Sequence, residues 1–190
     1  MKLLMLDRIY INTVYVLFVA AIWTVLFFAN GYIFDAAEVA PLVSFVFLPA
    51  ALRPVAVLLF GVPGVIGLIL GAALTIPTVE IVNTSTVLMV IFNGLAAWGV
   101  LTVMRLFSTF RSELTADMAG LSLRTIMVFA ALTAFVSSTT NSFFISLSPD
   151  LSTSAGLALP MMIGDALGAL LMLYLLSILS PTIAKYLKKY

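Results

Sequence analysis

Long apolar runs separated by short polar breaks set the pattern of this chain. Residues about 10 to 29, 84 to 104, 125 to 146 and 157 to 179 each hold close to the roughly 20 residues that a helix needs to cross a hydrocarbon core. A further apolar stretch from 41 to 76 is too long for one helix. The sequence Gly61-Val62-Pro63-Gly64 divides it, because proline removes a backbone donor and the two glycines permit a sharp turn. The expectation is a helical hairpin with spans at about 41–60 and 63–77, the second short enough to tilt little or to sit partly re-entrant. Six spans result. The predicted fold class is all-α, a polytopic membrane bundle forming one domain over residues 1–190.

The polar break from 105 to 124 is the longest. Within it Phe107, Phe110, Leu114, Met118 and Leu121 recur at spacings of three and four. Two expectations fit this pattern equally: a helix lying along the membrane surface, or a solvated helical linker packed under the bundle. The basic residues orient the whole. With six spans, Lys2, Arg8, the 105–124 linker with Arg105, Arg111 and Arg124, and the tail with Lys185, Lys188 and Lys189 share one side. The opposite loops carry Asp35, Glu38, Glu80 and Asp150 and no Lys or Arg. The positive-inside rule then puts both termini in the cytoplasm. Of nine basic residues only Arg53 departs from that arrangement.

Composition narrows the class further. The chain is 63% hydrophobic and 9% charged, against about 25% charged in a soluble domain, and its mean hydropathy is +1.23. Lipid is therefore the expected main solvent, and the bilayer the first partner. The absence of cysteine and histidine removes disulfides, thiolate and imidazole metal ligands and the usual base of a catalytic triad. A net charge of +1 leaves no electrostatic footprint for nucleic acid. No phosphate-cradling loop or nucleophile–base pair is present, so neither catalysis nor a cofactor is expected. The N-terminal apolar run is too long for a signal peptide and is read as a retained first helix, with Trp23, Phe27 and Phe28 near its interfacial end.

Two charges stand inside apolar spans: Arg53 and Asp165. Either alone costs roughly 2.5–3.5 kcal/mol at the bilayer centre on insertion scales, so each needs a partner. Arg53 falls about 12 residues, or roughly 18 Å, below the start of its span, and Asp165 about 8 residues, or roughly 12 Å, below the start of its own. Both spans enter from the same side, so the two charges are expected to meet. They serve either as a packing pair that fixes register or as a site for a ligand, ion or proton, and the rarity of intramembrane charge narrowly favours the site. Pro49 and Pro54 flank the arginine and free carbonyls at mid-membrane, as broken helices do in transporters. Gly164 and Gly168 surround the aspartate in a small-xxx-small pattern, as do Gly67 and Gly71 in the third span, and intramolecular packing is the expected use of both. Asn93 in span four and Ser138 and Asn141 in span five are further polar groups at membrane depth. The expected pocket lining is Pro49, Asn93, Ser138, Asn141, Gly164 and Gly168; no metal ligand set is present.

At FLPAALRPVAVLLFGVPGVIGLILGAAL (47–74) and MIGDALGALLMLYLL (162–176) the chain resembles the membrane-associated sensor (MASE-type) domains of bacteria. The matching positions are Pro49, Gly61, Gly71, Gly164, Asp165 and Gly168, about a third of the chain being covered. Those domains precede an output module, and none is expected within these 190 residues. The resemblance implies a multi-pass bundle of the bacterial inner membrane that senses a ligand or signal and passes it to a partner protein through the 105–124 linker. Six spans, about 190 residues and cytoplasmic termini are also similar in architecture to the substrate-binding subunits of energy-coupling-factor vitamin transporters. A structural or assembly subunit of a membrane complex is a third possibility.

Overall fold

The computed structural model of the chain describes residues 2–40, 43–76, 83–114, 122–147 and 158–171. Glu80, Asp117, Asp150, Tyr174, Pro181 and the basic tail lie outside them, as does the second part of the expected last span. The first helix, α1 (Lys2–Phe34), is longer at both ends than the expected span and is followed by a 3-10 turn at Asp35–Ala37. Two short antiparallel strands, β1 (Glu38–Ala40) and β2 (Val43–Ser44), come next. A second 3-10 turn (Leu48–Ala51) leads into α2 (Leu52–Phe60), then α3 (Val62–Thr75), α4 (Thr84–Leu106), the single turn α5 (Ser108–Arg111) and α6 (Leu123–Ser146). The last described helix, α7, is Ala158–Leu171. Three segments, Asp7–Ala37, Thr84–Leu106 and Leu123–Ser146, are long and apolar enough to cross a membrane. This is a helical membrane protein.

Packing is organised by glycines. Gly67 and Gly71 of α3 lie against α1, where an added Cβ would come within 2.7 Å of the Cβ atoms of Val19 and Trp23 respectively. Residue number rises together along the two helices, so α1 and α3 are parallel. Gly61 closes the α2–α3 turn at φ +60°, a conformation side chains disfavour. Val19, Ala56, Leu68, Ala97, Leu101 and Phe129 form the centre of the apolar core between α1, α2, α3, α4 and α6. Trp23 belongs to this core at 3% exposure rather than to an interface, and its indole N–H donates to Thr75 Oγ1 at 3.2 Å.

The expected helix over 41–60 is not one helix. From Ser44 to Phe47 the chain is non-helical, and helical geometry begins only with the Leu48–Ala51 turn. The prolines explain where helix resumes: Pro49 sits in the first turn of the 3-10 segment and Pro54 in the first turn of α2, where a missing N–H leaves no bond unmade. Non-helical backbone at membrane depth survives only if its polar groups are paired inside the protein. Here each N–H from Phe45 to Leu48 is paired. Phe45 donates to Ala37 O at 3.0 Å and Phe47 to Gly164 O at 3.0 Å. Val46 donates to Ser44 Oγ at 3.2 Å, and Leu48 to the buried Asn30 Oδ1 at 2.8 Å.

Gly164 and Gly168 make this possible. A Cβ at Gly164 would collide with the carbonyl of Ser44, and one at Gly168 with the carbonyl of Phe47. The small-xxx-small face of α7 therefore receives an extended segment, not a second helix. The linker from 105 to 124 differs from expectation as well. No continuous helix runs through its described residues, because Phe107 is extended and α5 stops after Arg111. Leu114 is instead buried in the core, and Arg105 Nε donates to its carbonyl at 2.9 Å. Glu113 closes the linker onto α6, accepting from the Thr125 hydroxyl at 2.6 Å and from the Ser122 amide and hydroxyl. Those bonds, led by the Ser122 hydroxyl, hold its carboxyl below the ordinary range.

The glycine assignment is tested by comparing Gly168→Ala with Gly99→Ala, whose Cβ would meet nothing within 4 Å. Thermal unfolding in detergent should show Gly168→Ala destabilised by at least about 1–3 kcal/mol and Gly99→Ala unchanged or slightly stabilised. Equal stability of the two would mean that the close approach is not required.

Candidate functional site

The broken segment delivers Arg53 to the interior. Once the chain turns helical at Leu52, the next residue lies in the first turn of α2, 3% exposed. Three elements converge on it. From α7, Asp165 Oδ2 accepts from Arg53 Nη1 at 2.5 Å, with both side chains almost wholly buried. From α4, Asn93 Oδ1 accepts from Arg53 Nε at 2.8 Å, while its amide nitrogen donates to Leu68 O at 3.3 Å. The guanidinium carbon also lies 5.6 Å from the Trp23 ring centroid and 5.4 Å from that of Phe47, within the range of cation–π attraction.

The ion pair is not saturated. A guanidinium has five N–H donors and a carboxylate two acceptor oxygens. Among the described residues, only Nε and Nη1 of Arg53 and Oδ2 of Asp165 make hydrogen bonds. Nη2 and Oδ1 have no partner among the described residues, and neither is among the sealed unpaired atoms of the interior. Both side chains line a cavity of about 150 Å³, roughly ten times what one water requires. Its walls include Trp23, Phe47, Thr75, Met89 and Met161, with Asn30, Asp35 and Glu38 toward the end where α1 finishes. Asn141 of α6 also lines it, 9% exposed and with no hydrogen bond from its side chain to any described residue. One and two turns away on the same face of α6, Ser137 Oγ and Thr133 Oγ1 are buried without a partner among the described residues.

The residues singled out from sequence divide accordingly. Arg53, Asp165, Asn93 and Asn141 converge on the cavity. Pro49, Ser138, Gly164 and Gly168 do not line it. Pro49 shapes the turn before α2, Ser138 Oγ donates to Phe135 O at 3.1 Å, and the two glycines admit the extended segment. Sequence reasoning missed Trp23, Asn30, Phe47 and Thr75. Of these, Asn30 and Thr75 carried a usable signal, as isolated polar residues near the ends of apolar runs. The arrangement can present hydrogen-bond donors and acceptors to a small molecule at the base of an aromatic-walled space; the described residues hold no group of carboxylates fit for a metal ion. No family model matches the chain, and no curated protein or solved structure is detectably similar to it.

Removing one partner of a buried pair leaves the other charge uncompensated, at a cost of about 3–5 kcal/mol. Arg53→Ala and Asp165→Asn should each lower stability by that order in chemical unfolding, and the double variant Arg53→Met/Asp165→Leu should recover most of it. Single variants as stable as the parent would show that the pair does not hold α2 to α7.

Proposed function

We propose that the protein binds a small molecule in the Arg53–Asp165 cavity and relays its occupancy to a partner protein, as a sensor-type bundle of the bacterial inner membrane. The observation that carries this is the unsaturated ion pair on a cavity wall. A pair kept only for packing would be enclosed by its own hydrogen-bond partners, since a half-satisfied buried network is less stable than an apolar core. Intramembrane charges facing a cavity are typical of ligand and ion pathways. The Glu113 clasp supports the relay, because it ties the 105–124 linker to α6, the helix that carries Asn141. In this proposal six segments cross the bilayer with both termini cytoplasmic: α1, the composite from β2 through α2, α3, α4, α6 and the span begun by α7. The likeness of the 47–74 and 162–176 segments to MASE-type domains points the same way.

Capture of a substrate for transport is the second reading. The broken segment ahead of Arg53 favours it, since discontinuous helices build substrate sites in transporters. The two separate by partner and by flux: a sensor co-purifies with an output protein and moves nothing, whereas a capture subunit restores uptake only with an energising partner.

The binding site itself is tested with Asn141→Leu, which removes the cavity-lining amide and leaves the ion pair intact. Native mass spectrometry of protein extracted in mild detergent should show a small molecule on the parent and its loss from a folded Asn141→Leu variant. A parent free of any bound molecule, and unaffected in melting temperature by a metabolite extract, would refute the binding role. The topology is tested separately, because the chain has no cysteine of its own. Cysteines at Asp35 and Asp150 should react with an impermeant reagent in intact cells and one at Ser112 should not; labelling at Ser112 would overturn the six-span orientation.

A further inference from the structure

The cavity offers more than space, because its hydrogen-bonding edge has a definite polarity. At its base, Arg53 has an unused amino group, Nη2, and Asp165 an unused oxygen, Oδ1, on side chains already joined through Nη1 and Oδ2. The free capacity is therefore N–H donors on Arg53, two of them on Nη2, and an acceptor oxygen on Asp165, on two side chains joined by one hydrogen bond. The complementary edge on a ligand is an acceptor next to a donor, as in a primary amide, a lactam or a cyclic urea.

Charge selects among molecules that could reach this edge. The pair contributes no net charge, and the remaining ionisable residues on the cavity wall are Asp35 and Glu38. Among the described residues, an anion therefore meets acidic groups on the rest of the wall and an Asp165 oxygen at the base. A cation held by that oxygen sits beside a guanidinium of like charge. A neutral molecule satisfies both free groups without either conflict. Asn141 can bond either a donor or an acceptor on it, and Trp23, Phe27, Phe34 and Phe47 supply aromatic wall for its apolar body.

We infer that the ligand is a compact, uncharged molecule with an amide-, lactam- or urea-type edge on an apolar or aromatic ring, bound with its carbonyl on Arg53 Nη2 and its N–H on Asp165 Oδ1. This rests on the cavity being a ligand site.

Three single-ring probes of matched shape test it on the full chain in detergent: benzamide, benzamidinium and benzoate. Binding is followed by the shift in melting temperature and by isothermal titration. Benzamide should bind at least about ten-fold more tightly than either ion, since each ion leaves one member of the edge facing a group of its own kind. The variant Asp165→Asn, which can turn a second donor toward the cavity, should move the preference from benzamide to benzoate. Benzoate or benzamidinium binding the parent as tightly as benzamide would overturn the assigned edge while leaving the ligand site standing. No response to any of the three, together with no molecule bound to the parent in native mass spectrometry, would overturn both. The ranking on the parent decides the matter even where Asp165→Asn does not fold.

Discussion

Burying one guanidinium is the constraint from which the rest of this structure follows. An arginine with 3% exposure between apolar helices is stable only if charge, hydrogen bonding and ring faces replace the water it has lost. Asp165 answers the charge, Asn93 the Nε donor, and the Trp23 and Phe47 rings lie within cation–π range. These four come from four places in the chain. Holding them together requires α7 and the segment before α2 to approach more closely than two ordinary helices can, and this is where Gly164 and Gly168 act. The same approach puts extended backbone into the interior, and the Gly164 carbonyl and the Asn30 side chain then accept its amides.

Part of this was legible in the sequence. Arg53 and Asp165 stood out because charge is rare in apolar spans, and counting residues from the same membrane face placed them at compatible depths. The helical class, the turn at Gly61 and the positions of α4 and α6 followed from run length and from proline and glycine. The broken segment did not. A hydropathy pattern records how apolar a stretch is and says little about its backbone conformation, so residues 41 to 60 looked like an ordinary span. What breaks the helix is tertiary: carbonyls and an asparagine distant in the chain that make extended backbone affordable at that depth. Trp23 was misplaced for a related reason. Tryptophan near the end of an apolar run usually marks an interface, but here its indole N–H finds Thr75 inside the bundle and its ring face finds Arg53.

The linker shows the converse. Its three-and-four spacing is real, yet no continuous helix forms through its described residues. Leu114 gains more by entering the core than by lying on a surface stripe, and Glu113 caps the start of α6 in place of continuing a helix of its own. Periodicity proposes an amphipathic helix only where the apolar residues have no better burial at hand.

A buried ion pair is by itself weak evidence for function, since such pairs also serve packing and register. The distinction lies in what the pair leaves unused. For packing alone, selection has no reason to keep a donor and an acceptor idle beside a cavity when an apolar pair of similar volume is often as stable. The idle groups here are not scattered: Nη2 of Arg53, Oδ1 of Asp165 and the amide of Asn141 belong to side chains on the wall of one cavity, and they come from three different elements. Three independent elements leaving polar capacity toward one space is what a binding site requires and what a packing contact avoids. In the proposed sensing role, that incompleteness is the means by which a bound molecule would change the bundle, because a molecule that completes the bonds would stabilise the arrangement of α2, α6 and α7 that presents them.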